Sequence, residues 1–416
     1  MHSYRKIFKP LSVMVFALNL TFSLYATSPT IEEREKVRFT PPQLDSENMG
    51  EKITCIRPVY KGSLDLALES FDKKKYVITT SGFGGSGITL GEGAVKHQID
   101  DFEKRILPNL PKNKDTEITV VGLGWIGSLT TLELKERGYK NVTVITDKIE
   151  GLTSHKAGGL ISHACMDNNP ECQRLVDQFS IDTYKSYQKA IEGSHPFIND
   201  EGGMAVRKIP FFRSHVSEGQ EIYVNAGLMG APINVTLEME DSGLSHPMVC
   251  YEGSIFVNTP SVLSQFHGHI KNKYGVPIIQ KEIKSFEEIW STVIFNCTGI
   301  RAAYIKERNG QKEDYIPALG HLIMGRNQDF SRGDLHVGNS MISFSVEQQP
   351  TMDLEHECTD SLYCFPKYYN DNQFVLGGTF IKNVGIDSEG VVLGKHFYSE
   401  KFDLIWDNAQ KFFGLK

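Results

Sequence analysis

The run ITVVGLGWIGSLTTLELKERGYKNVTVITD, Ile118 to Asp147, decides the fold. Ile118-Thr-Val-Val121, β-branched throughout and mostly apolar, reads as a short buried strand. Gly122-Leu-Gly-Trp-Ile-Gly127 is a turn, and the spacing of Ile126, Leu129, Leu132 and Leu134 predicts a helix from Ile126 to Arg137. Gly138 stops that helix and Val142-Thr-Val-Ile145 supplies the next strand. Each glycine has a task in such a unit. Gly122 makes the tight turn, Gly124 lets the backbone approach a pyrophosphate, and Gly127 lets helix and strand pack closely. The helix N-terminus presents free N–H groups and partial positive charge to the phosphates, in reach of Trp125 and Ile126. Asp147, followed by Lys148, ends the second strand where a carboxylate accepts hydrogen bonds from a ribose. A bare GxGxxG also fits an ordinary connection, but here the strand before it, the helix after it and the acid about 20 residues on are all present. The stretch reads as a dinucleotide site, and NAD and FAD share this fingerprint.

The chain has 416 residues, 40% hydrophobic and 23% charged, a globular composition long enough for about two domains. A net charge of −7 without a Lys/Arg block excludes a nucleic-acid surface. Arg5, Lys6 and Lys9 precede the apolar run Ser12 to Leu24 and then Tyr25-Ala26, the pattern of a signal peptide cleaved after Ala26. Its apolar core falls short of the roughly 20 residues that span a bilayer, so the expectation is an exported protein, periplasmic or secreted, with no stable membrane span. The cysteines are Cys55, Cys165, Cys172, Cys250, Cys297, Cys358 and Cys364, an odd set that predicts at most one or two bridges. His163-Ala-Cys165 with Cys172, and His267-Gly-His269, lack a matched second pair of ligands, so no metal site is expected.

Elsewhere, residues 27 to 51 are polar with Pro41-Pro42 and read as a linker or loosely packed arm. Cys55-Ile-Arg-Pro-Val59 reads as a loop and Tyr76-Val-Ile-Thr-Thr80 as a strand. The glycine-rich Ser81 to Gly91 then leads to a helix from about Gly93 to Ile106, a second strand, glycine loop and helix. Helices are expected over Glu171 to Ile191, Pro260 to Tyr274 and Lys395 to Phe413. Gly202 to Val257 shows short β-like runs of an antiparallel sheet, and Thr292 to Gly299 is a buried strand with a glycine-terminated turn. Pro317 to Thr379 is strand-rich. The expected fold is α/β, a Rossmann-like domain with a parallel sheet plus an inserted antiparallel-sheet (α+β) substrate domain. The expected boundaries are 76–162 and 255–316 for the nucleotide domain, with 52–75, 163–254 and 317–416 for the substrate domain.

Several of these pieces resemble one family, the FAD-dependent D-amino acid oxidases and their relatives. Gly122 to Gly127 with Asp147 resembles the family's FAD fingerprint. Thr153-Ser154 through Ala157-Gly-Gly-Leu160 resembles its flavin-approach loop, and Asn296-Cys-Thr-Gly299 its second flavin strand. Tyr363 to Lys367 and Leu376-Gly-Gly-Thr379 resemble the sheet that carries its active-site tyrosine. Two more pieces stand at the opposite end from where the family has them: Cys55-Ile-Arg-Pro-Val59 looks like its Arg-Pro motif, and Gly82-Phe-Gly-Gly-Ser-Gly-Ile-Thr89 like its closing flavin loop. A circular permutation accounts for both, and it is permissible where old termini lie close together at the surface.

The resemblance implies FAD held by Gly82, Gly84, Gly85, Gly87, Ile88 and Thr89 of the closing loop, with the fingerprint residues and Lys148. It also implies contacts from Thr153, Ser154, Gly158, Gly159 and Leu160, and from Thr298 and Gly299. It implies a D-amino acid or related small amine as substrate, with Arg57 as the bidentate carboxylate fork, Tyr363 as a second donor, and the Gly85 carbonyl orienting the amine. Electrons would pass to oxygen or to another acceptor. Thr359 stands where vertebrate members carry a further tyrosine, and the polar Glu347 to Asp360 replaces a compact lid. An exported, non-catalytic protein that keeps the flavin fold as a scaffold is the alternative.

Overall fold

In the computed structural model the chain is described for residues 35–71, 75–163, 169–200, 205–345, 361–367, 372–382, 384–385 and 398–416. The proposed signal segment, Cys165, Cys358, Thr359 and the stretch 347–360 lie outside these residues. The chain opens with β1 (Glu35–Phe39), β2 (Met49–Tyr60), β3 (Leu68–Phe71) and β4 (Lys75–Thr79), then α1 (Gly87–Arg105), β5 (Ile118–Val121), α2 (Trp125–Glu136) and β6 (Val142–Thr146). The next part holds α3 (Thr153–Lys156), α4 (Pro170–Ile191), β7 (Val206–Lys208), β8 (Phe211–Arg213), α5 (Glu218–Asn225), β9 (Ile233–Met239), β10 (Ser245–Tyr251), β11 (Ile255–Val257) and α6 (Thr259–Gly268). The last part holds β12 (Ile278–Gln280), β13 (Val293–Asn296), β14 (Tyr315–Gly325), β15 (Met341–Ser345), β16 (Ser361–Lys367), β17 (Gln373–Gly377) and α7 (Tyr398–Phe412).

Two sheets carry the architecture. The first has six strands in the order β12-β6-β5-β13-β4-β3, parallel except for β3 against β4. β5 and β13 are buried at every residue, which is why they are mostly apolar with no polar alternation: strands in the middle of a parallel sheet are covered on both faces. The strand ahead of the glycine-rich loop, β4, lies in this sheet beside β13, with Tyr76 opposite Val293. The second sheet has nine strands in the order β1-β9-β10-β8-β15-β16-β17-β14-β2 and is largely antiparallel. β7 and β11 form a separate pair.

The structure departs from the sequence reading in several places. Cys55 to Val59 is strand, not loop: it belongs to β2, with Arg57 opposite Ala318 and Pro58 opposite Pro317 of β14. Proline lacks the donor a central strand needs, but β2 ends the sheet, where a missing N–H is tolerated. The polar arm contributes β1, parallel to β9, and buries Phe39 and Leu44. β3, expected in the substrate domain, pairs with β4 of the nucleotide sheet. α5 interrupts the run expected to be all strand. α1 begins at Gly87 and not Gly93, because its glycines serve packing: a Cβ on Gly93 would lie 2.5 Å from Phe179 Cα of α4, and one on Gly91 3.2 Å from Leu129 Cδ1 of α2.

Where the sheets meet, fully buried Arg308 donates to Thr79 Oγ1 at 2.6 Å and Asp65 Oδ1 at 3.0 Å, and the Tyr315 hydroxyl donates to Asp65 Oδ2. Asp65 also pairs through its backbone with Ser81, which roots the glycine loop. This buried ion pair, which Glu69 Oε2 extends at 3.2 Å from Arg308 Nε, fixes β4, the start of β14 and the loop root to one another; removing Arg308 would strand the buried Asp65 charge. Cys55, Cys172, Cys250, Cys297 and Cys364 are free thiols.

Candidate active site

The site is built where the parallel strands end. Past β5, Gly122 has φ +97°, and a Cβ there would lie 2.6 Å from the Cys297 carbonyl oxygen at the end of β13. Only glycine fits both the left-handed backbone and the close approach. Gly124 caps α2, and the Trp125 N–H is met at 3.0 Å by Ser154 Oγ, so the first turn of α2 faces the loop that carries α3. Past β6, Asp147 Oδ2 lies 3.2 Å from Nη1 of Arg301, which also reaches Glu282 Oε1 at 3.1 Å. Arg301 stands in the 3-10 turn Gly299–Tyr304 that follows β13.

After β4 the chain turns through Gly84 (φ +58°) and Gly85 (φ +103°). Ser81 Oγ ties this loop to the Gly299 carbonyl at 2.9 Å, and the Gly84 N–H donates to the Pro58 carbonyl of β2 at 2.7 Å. The glycine loop is thereby docked against the strand that carries Arg57. The segment Thr153 to Gly159 is held from behind by buried Lys367 of β16, whose Nζ donates to the Ala157 carbonyl at 2.5 Å and to Thr259 Oγ1 at 2.8 Å. Burial brings the Lys367 ammonium down to about 7. His267 Nε2 donates to the Leu123 carbonyl in the fingerprint turn at 3.1 Å.

These parts enclose one cavity of about 730 Å³. Its wall includes Gly84, Gly85, Gly87, Ile88 and Thr89; Gly122, Gly124, Trp125 and Ile126; Asp147 and Lys148; Thr153, Ser154, Gly158, Gly159 and Leu160; and Thr298 and Gly299. Arg57 and Tyr363 line the same cavity beside Leu319, Leu322 and Phe365. Two residues singled out from the sequence lie outside the wall. Gly82 (φ +81°) is wedged under Tyr60 and Asp65, and Gly127 serves packing alone, since a Cβ there would lie 2.0 Å from the Gly122 carbonyl oxygen.

The Arg57 guanidinium is half-buried, lies 5.2 Å from the centre of the Phe380 ring and has no carboxylate partner among the described residues. Its Cδ is 3.1 Å from where a Cβ on Gly85 would stand, so the arginine and the glycine loop touch. Tyr363 stacks on Phe365 at 4.4 Å between ring centres, and burial pushes its hydroxyl up to about 12 while the nearby Arg57 charge opposes the rise. Arg301, Cys55 and Lys281 also line the cavity and were not singled out from the sequence. Arg301 stands two places past Gly299, so following the second flavin strand one turn further would have found it.

A strand-ended, glycine-lined cavity with a helix N-terminus and an acid at its edge defines a dinucleotide-dependent enzyme of the Rossmann type. Residues 117–414 match the family described as DAO, FAD dependent oxidoreductase, and the chain belongs to that family. Its cofactor is FAD. The cradle fits that group: the glycine turn Gly122 to Gly124 and the first residues of α2 border the cavity, so free N–H groups of a helix N-terminus face a space large enough for phosphates, and Asp147 lines the same wall. No curated protein sequence matches the chain. Among solved structures, glycine oxidase from Bacillus cereus ATCC 14579 is similar over 71% of this chain and 77% of its own, at 17% identity and TM-score 0.46. Fructosamine oxidase (Amadoriase II) from Aspergillus fumigatus is similar over 68% of each chain, at 15% identity and TM-score 0.47. L-proline dehydrogenase from P. horikoshii is similar over 71% of this chain and 76% of its own, at 17% identity and TM-score 0.45.

Proposed function

We propose that this FAD-dependent oxidoreductase oxidatively deaminates a D-amino acid or a related small amine that carries a carboxylate. The observation that carries this reading is the Arg57 guanidinium, without a carboxylate partner among the described residues, in the same cavity as the cofactor cradle. A half-buried guanidinium calls for an anion, and its fork matches a carboxylate bidentately. The Tyr363 hydroxyl, protonated well above neutral pH, is a second donor for that carboxylate. The Gly85 carbonyl accepts from the amine, and Leu319, Leu322 and Phe365 keep water from the reacting carbon. Bound FAD would supply the acceptor for the hydride that leaves the amine-bearing carbon; the neutral amine thereby becomes an iminium, which water hydrolyses to the oxo product and ammonium.

The purified protein should carry visible flavin absorbance that bleaches anaerobically with one or more members of a panel of D-amino acids and N-substituted glycines. Flavin that stays oxidised with every member would overturn the reading in favour of a flavin-fold scaffold. Re-oxidation by air with release of peroxide would identify oxygen as the electron acceptor.

Two further readings belong with this one. The chain is a circularly permuted member of its family: the family match begins at residue 117, while β4 and the glycine loop ahead of it join the same sheet and cavity. A variant re-joined with residues 52–110 after the present C-terminus should fold and bind FAD; loss of both would count against the permutation. The protein is exported, as its charged start and short apolar run suggest. N-terminal sequencing of protein from the source cell should begin at Thr27, and an intact Met1 would refute export by cleavage.

A further inference from the structure

Four neighbouring strands of the nine-stranded sheet run β16, β17, β14, β2, and the two candidate substrate groups ride on the outer pair, Tyr363 on β16 and Arg57 on β2. The row of Tyr363 runs through Gly377 and Leu322 to Ile53, four residues from Arg57 on β2. At roughly 4.8 Å between strands and about 3.4 Å per residue their backbones stand about 20 Å apart, too far for one small carboxylate to bridge unless both side chains lie down across the sheet toward one another. The two inner strands permit this. Gly377 of β17 is opposite Tyr363, and a Cβ on it would lie 2.6 Å from Cζ and Oη of the tyrosine and as close to Cδ2 of Leu322. Gly320 of β14 is two places from Ala318, the partner of Arg57, and a Cβ on it would lie 3.0 Å from Nη2, 3.2 Å from Nε and 3.3 Å from Cζ of the arginine. Each side chain therefore lies over a glycine of an inner strand.

Neither glycine has a positive φ, so backbone conformation does not call for glycine at either place. Glycine inside a strand weakens it, having no side chain to pack. What each provides is space. Phe380 closes over Arg57 with its ring centre 5.2 Å from Cζ, favourable for a cation against an aromatic face.

We propose that Gly320 and Gly377 are positioning residues that cut a trench across the sheet, bringing the Arg57 fork and the Tyr363 hydroxyl onto a single carboxylate. This rests on the amine-oxidising reading above and deepens it: two strand glycines limit the substrate to one carboxylate between these donors. Because the nearest atoms at Gly320 are the far end of a flexible side chain, alanine there is accommodated by moving the guanidinium and not by unfolding.

The test is calorimetric titration of propionate into the FAD-loaded protein. Gly320→Ala should weaken propionate binding about tenfold, the loss expected when one arm of a charged fork is misplaced, with flavin content unchanged. In an Arg57→Lys background, which has no fork to displace, Gly320→Ala should have no further effect. Gly377→Ala should likewise weaken binding in the wild-type background and not beside Tyr363→Phe, which gives a second, independent arm. Wild-type affinity in both alanine variants, or equal losses with and without the intact partner, would overturn the trench alone. A wild-type flavoprotein that does not bind propionate would overturn the amine-oxidising reading, and the trench with it.

Discussion

Replacing Lys367 with methionine should change how stability depends on pH. Lys367 is 1% exposed, and burial lowers its ammonium from the ordinary 10.5 to about 7. Between about pH 7 and about pH 10.5 the unfolded chain therefore holds a proton that the folded chain lacks, so stability rises with pH across that window. Below about pH 7 the ammonium is charged in both states and the full burial cost is felt. At about 1.4 kcal/mol per tenfold, the gap corresponds to about 5 kcal/mol. The hydrogen bonds to the Ala157 carbonyl and Thr259 Oγ1 are already contained in that lowered value, so stability gains about 5 kcal/mol across the window. Methionine keeps the length without the charge. Both of these partners stay paired, because Thr259 Oγ1 still donates to the Ala157 carbonyl at 3.3 Å or the His155 carbonyl at 3.4 Å. Urea unfolding of the flavin-free wild type and Lys367→Met at about pH 6, 8 and 10 measures the effect. The variant should be the more stable at the lowest pH, and the difference should shrink as pH rises. Other titrating groups are common to both proteins and cancel in that difference. Parallel curves for the two proteins would refute the burial argument.

Arg57→Ala should cost about 2–5 kcal/mol in carboxylate binding while leaving flavin content unchanged, read by calorimetry and by the visible spectrum. Asp147→Ala should weaken FAD by about 1–3 kcal/mol in a fluorescence titration, and it also removes a carboxylate that Arg301 reaches at the cavity edge. Tyr363→Phe should cost about 1 kcal/mol in carboxylate affinity, and wild-type affinity should show no step from this hydroxyl between about pH 6 and 9, because it titrates near 12. Gly122→Ala should lower the unfolding free energy by about 1–3 kcal/mol and abolish FAD binding, since the new Cβ meets backbone that cannot swing aside.

The parallel sheet was legible in the sequence because its signals are local. Val120 and Ile294 sit in short, mostly apolar β-branched runs, and Gly122 and Gly138 mark turns nearby. The same locality exposed the loops that now line the cavity. What escaped depends on pairing between distant residues. Pro58 reads as a loop signal until β2 is known to end its sheet, and Phe39 reads as an isolated apolar residue until β9 lies beside it. Gly320 carried no signal at all, because its meaning lies in the arginine that crosses it from the next strand. Arg308 sits in a stretch of charges that suggests solvent, and its burial follows from Asp65, 243 positions earlier.

The position of β4 between β3 and β13 has a consequence for the order in which the chain is made. β3 is available to it at once, but Val293, which faces Tyr76, emerges from the ribosome only about 217 residues after it. At roughly 5–20 residues per second, β4 waits about 10–45 s with only a short hairpin partner. During that interval Val77 and Ile78, both fully buried in the finished sheet, are exposed on an incomplete edge. A chain built this way depends on a holding factor during synthesis, or on dilution, more than one whose early strands pair with their immediate neighbours.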